Sequence, residues 1–179
     1  MAYKGSFTVK NKAKYLGNPE NVTYRSHWEK EVMMMLDDND DVLEWGSEEL
    51  VVPYENPVQG RRAKYYPDFI IKTKDGKIKV VEVKPYEQTI EPVNPGRKTR
   101  KYVGAVMTWA VNSEKWKAAR ALCEKNGLEF EIWTEETLKS MGLLKASRGN
   151  KSKMIAETKT PKMKPMVKRK PRPRPTRRS

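Results

Sequence analysis

Asp68, Glu82 and Lys84 are the residue types that phosphate-ester hydrolysis needs, and one short stretch of the chain holds all three. Two carboxylates suit a hard divalent cation such as Mg²⁺, which takes oxygen ligands and keeps several waters. A lysine beside them can orient a nucleophilic water or neutralise charge growing on a phosphate. Residues 65–84 provide the frame. Two β-type runs, 68–73 and 77–84, flank Asp75-Gly76, a dipeptide that readily supplies the positive φ angles of a tight hairpin turn. Asp68 opens the first strand, and Glu82 and Lys84 lie near the end of its antiparallel partner, so the hairpin gathers the three at one end. Alternation puts Glu82 and Lys84 on one side and Val81 and Val83 on the other. The competing reading is a solvated surface hairpin, because 34% of the chain is charged.

The elements that must hold this hairpin are bounded by composition. A chain of 179 residues has room for one domain with a real core, and a hydrophobic fraction of 37% implies that part of it does not pack. Charge is uneven. From residue 145 onward there are fourteen Lys or Arg against the single Glu157, so the tail carries +13 of the net +14 and the body +1. One cysteine, Cys123, implies no disulfide and reads as a small buried apolar residue. The start of the chain lacks the apolar segment of a signal peptide and no run is long enough to span a bilayer, so a soluble, cytoplasmic protein is expected.

In chain order, residues 1–22 show neither helical nor strand periodicity and are expected to form an arm or loop. Residues 23–37 place Trp28, Val32, Met35 and Leu36 on one helical face, with Thr23 or Ser26 as the cap. The acidic run 37–41 ends that helix. A strand is expected over 44–54, and a loop with Arg61, Arg62 and Lys64 precedes the hairpin, where these cations could meet a phosphate backbone. Beyond a proline-rich loop at 85–96, the pattern predicts two helices, 97–111 and 113–125, the second capped by Ser113 and closed by Asn126-Gly127. A strand at 128–133 and a short helix over 134–141 complete a domain spanning 23–144. The expected fold class is α/β, a mixed sheet flanked by helices.

The motifs then become more specific. Tyr24-Arg25-Ser26-His27-Trp28-Glu29, Trp45-Gly46-Ser47-Glu48, Tyr66-Pro67-Asp68, Glu82-Val83-Lys84-Pro85, Val111-Asn112-Ser113-Glu114-Lys115-Trp116 and Ile132-Trp133-Thr134-Glu135-Glu136 together resemble the head-completion nucleases of T-even-like tailed phages. These are TnsA-like members of the PD-(D/E)XK (restriction-endonuclease-like) superfamily, whose signature is matched by Pro67-Asp68 and Glu82-Val83-Lys84. The resemblance covers roughly residues 1–142. It implies metal-assisted hydrolysis of DNA phosphodiesters, with Asp68, Glu82 and the Val83 carbonyl holding Mg²⁺ or Mn²⁺ and Lys84 neutralising developing charge. It also implies an acid on the first helix. Glu29 matches, with Glu31 as its competitor about 200° round the helix; Glu29 would bind a second ion or anchor Lys84. Arg25 would touch the scissile or a flanking phosphate.

The tail departs from that family. Proline recurs at every second position through Lys168-Arg169-Lys170-Pro171-Arg172-Pro173-Arg174-Pro175, which excludes helix and predicts a disordered or extended basic segment. Sequence-independent DNA binding is one reading and docking on an acidic protein surface, such as a portal, neck or head protein, is the other. The whole chain accordingly reads as a DNA endonuclease acting during virion assembly. The alternatives are a non-catalytic virion component holding DNA or the portal, and a host-defence or transposase-associated enzyme.

Overall fold

Asp75-Gly76 turns the chain as its residue types require. Gly76 takes φ 81°, and the strands on either side pair antiparallel with Phe69 opposite Val81 and Lys72 opposite Ile78. This hairpin is central to the computed structural model, which describes residues 3–145. In chain order the elements are β1 (Gly5–Phe7), β2 (Val22–Tyr24), α1 (His27–Asp38), β3 (Val42–Ser47), β4 (Val52–Asn56) and β5 (Arg61–Tyr65). The hairpin strands β6 (Phe69–Thr73) and β7 (Ile78–Val83) follow, then α2 (Arg100–Lys125), β8 (Glu129–Trp133) and α3 (Glu135–Ser140).

The principal sheet has the order β3-β6-β7-β8, with β6 antiparallel to both neighbours and β7 parallel to β8. On one face Val32, Met33 and Leu36 of α1 pack with Trp45, Phe69, Ile71, Val81 and Val83. On the other, Trp116 and Ala119 of α2 join Val52, Tyr54 and Tyr65 of the β4–β5 hairpin, with Phe130 and Ile132 of β8 against them. Layers on both faces explain why β7 is buried continuously from Val80 to Val83, carrying Glu82 inside with the valines. The fold is therefore the expected α/β mixed sheet flanked by helices. Among the described residues no helix is long and apolar enough to cross a membrane.

Several local expectations are corrected. Residues 1–22, expected as an arm or loop, are loop for most of their described length but not a free arm: β1 pairs with β2, and Val9, Tyr15 and Val22 are buried in the α1-side core. They lack periodicity because most of this segment packs as irregular chain, pinned by the buried Asp37 carboxylate, which accepts from the Lys10 and Asn11 N–H groups at 2.8 and 3.2 Å. Thr23 belongs to β2, so the cap of α1 is Ser26, whose Oγ accepts from the Glu29 N–H at 3.1 Å. The single strand expected over 44–54 is two strands in different sheets, separated where Glu48 takes φ 59°. The basic run at 61–65 is a strand rather than a loop; its exposed arginines hide the alternation of Ala63 and Tyr65, which face the core. The two helices expected around Asn112 are one. No glycine or proline interrupts 105–125, Asn112 is buried, and Thr99 supplies the cap by accepting from the Tyr102 N–H at 3.1 Å. The basic tail lies outside the described residues.

Candidate active site

The pairing of β6 with β7 stops at Phe69–Val81, and just beyond it a side chain takes over from the backbone ladder. Asp68 Oδ2 accepts from the Val83 N–H at 2.7 Å. On the other edge, the Lys84 N–H donates to the Trp133 carbonyl at 3.0 Å, extending the parallel pairing with β8. Sheet ends therefore fix both residues. Alternation sends Glu82 to the α2 face, where the Tyr65 hydroxyl of β5 donates to Glu82 Oε2 at 2.7 Å and Lys84 Nζ lies 3.0 Å from Oε1. Glu82 is only 4% exposed, so both charge-bearing oxygens depend on these partners.

Electrostatics follow from this crowding. Burial, then the neighbouring Glu82 charge, push the Asp68 carboxyl up to about 8; Lys84 and the Val83 N–H oppose the rise and Glu29 adds to it. Burial alone would lower the Lys84 ammonium, but Glu82 and Asp68 outweigh it and raise it, so the lysine stays charged. Burial and Glu82 raise the Tyr65 hydroxyl, which stays a proton donor. Burial likewise raises the Cys123 thiol, away from a nucleophile's range.

Glu29 stands at the first turn of α1, half-buried, with its carboxylate accepting from the Arg25 N–H at 2.7 Å. Its charge acts on both Asp68 and Lys84. Glu31 instead faces His27, with Oε1 3.6 Å from Nε2. Of the two acids weighed from the sequence, Glu29 is the one gathered with the others.

Among the described residues no three His, Cys, Asp or Glu side chains form a ready metal cluster. Mg²⁺ does not require one, because it is commonly held by one or two carboxylates with waters completing the shell. Asp68 Oδ1 has no donor among the described residues, and the Asp68 carboxyl is raised first by burial and then by the neighbouring Glu82 charge, both of which a bound cation would relieve. The donor set fits a hard divalent cation.

Residues 39–135 match the family described as TnsA-like endonuclease N terminal. The chain belongs to this family. It is also 40% identical over 146 residues to the head completion nuclease of Enterobacteria phage T4, a similarity covering 79% of this chain and 97% of that protein. A nuclease role follows from both relationships. Asp68, Glu82 and Lys84 fall within the TnsA-like match, whereas Glu29 precedes it.

Of the remaining sequence-predicted residues, those described make no hydrogen bond or ion pair with Asp68, Glu82 or Lys84. Arg25 precedes α1 rather than lying on it, and its guanidinium meets Glu48 Oε2 at 2.8 Å. Arg61, Arg62 and Lys64 are exposed on β5. Arg61 Nε donates to Gln59 Oε1 and Arg62 Nε to Glu55 Oε1, both at 3.0 Å, and neither contact leads to the carboxylates. Lys168, Arg169, Lys170, Arg172 and Arg174 lie outside the described residues.

Two residues at the centre were not singled out from the sequence. Tyr65 gave no signal beyond standing three residues before Asp68. Glu48 closes the Trp45-Gly46-Ser47-Glu48 motif, and its unusual φ of 59° aims its N–H at the Asp68 carbonyl, 3.2 Å away, while its carboxylate holds Arg25. A non-glycine residue in that region costs on the order of 1 kcal/mol, and such strain clusters at functional sites.

Proposed function

We propose that this protein is a metal-dependent DNA endonuclease of the PD-(D/E)XK type, which hydrolyses phosphodiester bonds of packaged DNA while a phage head is completed in the infected cell. The observation that carries the reading is the Asp68–Glu82–Lys84 cluster at the paired end of two strands, with Tyr65 and Val83 fixing one oxygen of each carboxylate. Asp68, Glu82 and the Val83 carbonyl would hold Mg²⁺ or Mn²⁺. The ion would supply charge neutralisation at the phosphate and a more acidic water.

The chain's own groups do the rest. Tyr65 holds Glu82 Oε2, which leaves Oε1 as the oxygen turned toward the site. Lys84 Nζ, adjacent to that oxygen and kept charged, can donate to a non-bridging phosphate oxygen as negative charge builds there. Glu29 balances the lysine from α1. Arg25 reaches a flanking phosphate by exchanging Glu48 for it, a swap of one exposed ion pair for another that costs little. No covalent intermediate is needed.

The test is incubation of the full chain with supercoiled, linear and branched DNA in Mg²⁺, in Mn²⁺ and in chelator, beside Asp68→Ala and Glu82→Ala. Cleavage by the wild type alone, abolished by chelator, is expected. Cleavage undiminished in either variant, or persisting in chelator, refutes the site. DNA binding without cleavage in every condition leaves a virion component that holds DNA through its +13 tail.

A further inference from the structure

The parallel pair β7–β8 is joined through α2, and the lengths do not match. β8 has five residues and spans about 17 Å, which about eleven residues of helix would cover, whereas α2 has 26 residues and runs about 39 Å. Its C-terminal end is fixed, because only residues 126–128 separate it from the start of β8. The surplus must therefore extend past the opposite end of the sheet. That is the end where Asp68, Glu82 and Lys84 stand.

Burial agrees. All four buried residues of α2, Asn112, Trp116, Ala119 and Cys123, lie from its midpoint onward, and none of residues 97–111 is buried. The overhang and the turn leading into it are strongly cationic: Arg97, Lys98, Arg100 and Lys101 are exposed and form no ion pair among the described residues. No Asp or Glu occurs between Glu91 and Glu114. These cations add nothing to the helix, whose first turn disfavours positive charge. They follow directly on the loop that leaves Lys84.

We infer that the overhanging half of α2 and the residues leading into it are a second DNA-binding surface, on which Arg97, Lys98, Arg100 and Lys101 grip the phosphate backbone of a duplex whose scissile bond lies at the sheet end. The identity of the polyanion rests on the nuclease reading above. Each neutralised phosphate contributes about −0.9 to the slope of log affinity against log salt, so four contacts supply about −3.6. These contacts hold the substrate without touching the reacting atoms, and they act on KM for DNA rather than on kcat.

The experiment compares the full chain with its Arg97→Gln, Lys98→Gln, Arg100→Gln, Lys101→Gln variant. Affinity for a generic duplex is measured against salt in chelator, and cleavage kinetics in Mg²⁺. Expected are a slope flatter by about 3, a KM raised about tenfold or more and a kcat within about threefold. An unchanged slope and KM overturn the inference while leaving the nuclease reading intact; a flatter slope in a protein that never cleaves does the reverse. Should the fourfold variant fold poorly, Lys101→Cys carrying an iron chelate gives a second readout, since Cys123 is buried. Radical cuts in bound duplex support the surface, and their absence overturns it.

Discussion

Replacing Asp68 by Asn should make the metal-free protein more stable at neutral pH while destroying its activity. The carboxyl is held up to about 8, far above its ordinary 3.8, by burial and by Glu82. Because an acid raised in the folded state keeps a proton that the unfolded chain has released, its contribution is intact below about 3.8. Stability then falls as pH climbs through the interval up to about 8. The slope is about 1.4 kcal/mol per pH unit, so the full linkage at pH 7 approaches ~4 kcal/mol; screening at the solvent-facing edge of the carboxyl brings the expected value to about 2 kcal/mol. Asn escapes this cost, and its amide oxygen still accepts from the Val83 N–H. Urea unfolding of both proteins in chelator at pH 4, 5, 6, 7 and 8 should show curves that coincide at pH 4 and diverge steadily above it. Lys84 does not enter this window, because its raised ammonium loses its contribution only above about 10.5. Curves that stay parallel from pH 4 to 8 would refute the electrostatic account of the site. Saturating Mg²⁺ should close the gap by stabilising the wild type alone.

Four further outcomes are expected. Lys84→Ala should bind metal in calorimetry yet cleave at least about a hundredfold more slowly in single turnover, and equal rates would reduce Lys84 to a structural counter-charge. Glu29→Gln should lose most activity while Glu31→Gln keeps it, because Glu31 engages His27; the reverse ranking would reassign the helix face. Tyr65→Phe leaves a buried carboxylate oxygen without its donor, a loss of about 1.5–3 kcal/mol, which should weaken metal affinity in calorimetry about tenfold or more; unchanged affinity would show that the hydroxyl does not position Glu82. Deleting residues 145–179 should flatten the salt dependence of DNA affinity by several units with cleavage at saturating DNA within about tenfold of wild type. An unchanged salt dependence there assigns the tail to a protein partner.

What was legible in the sequence was what short range decides. The Asp75-Gly76 turn, the Asn126-Gly127 stop of α2 and the alternation of β7 are local signals, and each element formed where its residues favoured it. Ser26 needed only its own first turn to act as a cap. Partners distant in sequence were illegible. Tyr65 meets Glu82 across seventeen residues and from a different sheet, and nothing in the run Arg61-Arg62-Ala63-Lys64-Tyr65 marks which side faces inward until α2 covers it. The N-terminal segment failed for a related reason. Val9, Tyr15 and Val22 are buried one at a time against α1 and Trp45, and isolated apolar residues in irregular chain have no period to detect.

On the proposed function, the placement of the carboxylates answers two opposed requirements. A strand buried on both faces is rigid enough to hold Glu82, yet a phosphodiester of a long polymer can meet the side chains only at an open edge. Ending the β6–β7 pairing at Phe69–Val81 meets both needs, since Asp68 and Val83 are still bound to each other and Val83 still pairs with Trp133, while Asp68 Oδ1 has no donor among the described residues. The cost is concentrated there. Asp68, its carboxyl raised by burial and by Glu82, and the strained Glu48 stand one hydrogen bond apart, whereas the stabilising burial of Trp45, Phe69, Val80 and Trp116 lies behind them. Core truncations such as Leu36→Ala should therefore destabilise the protein by about 2–5 kcal/mol, whereas neutralising Asp68 should not, and that asymmetry separates a residue that serves packing from one that the proposed chemistry uses.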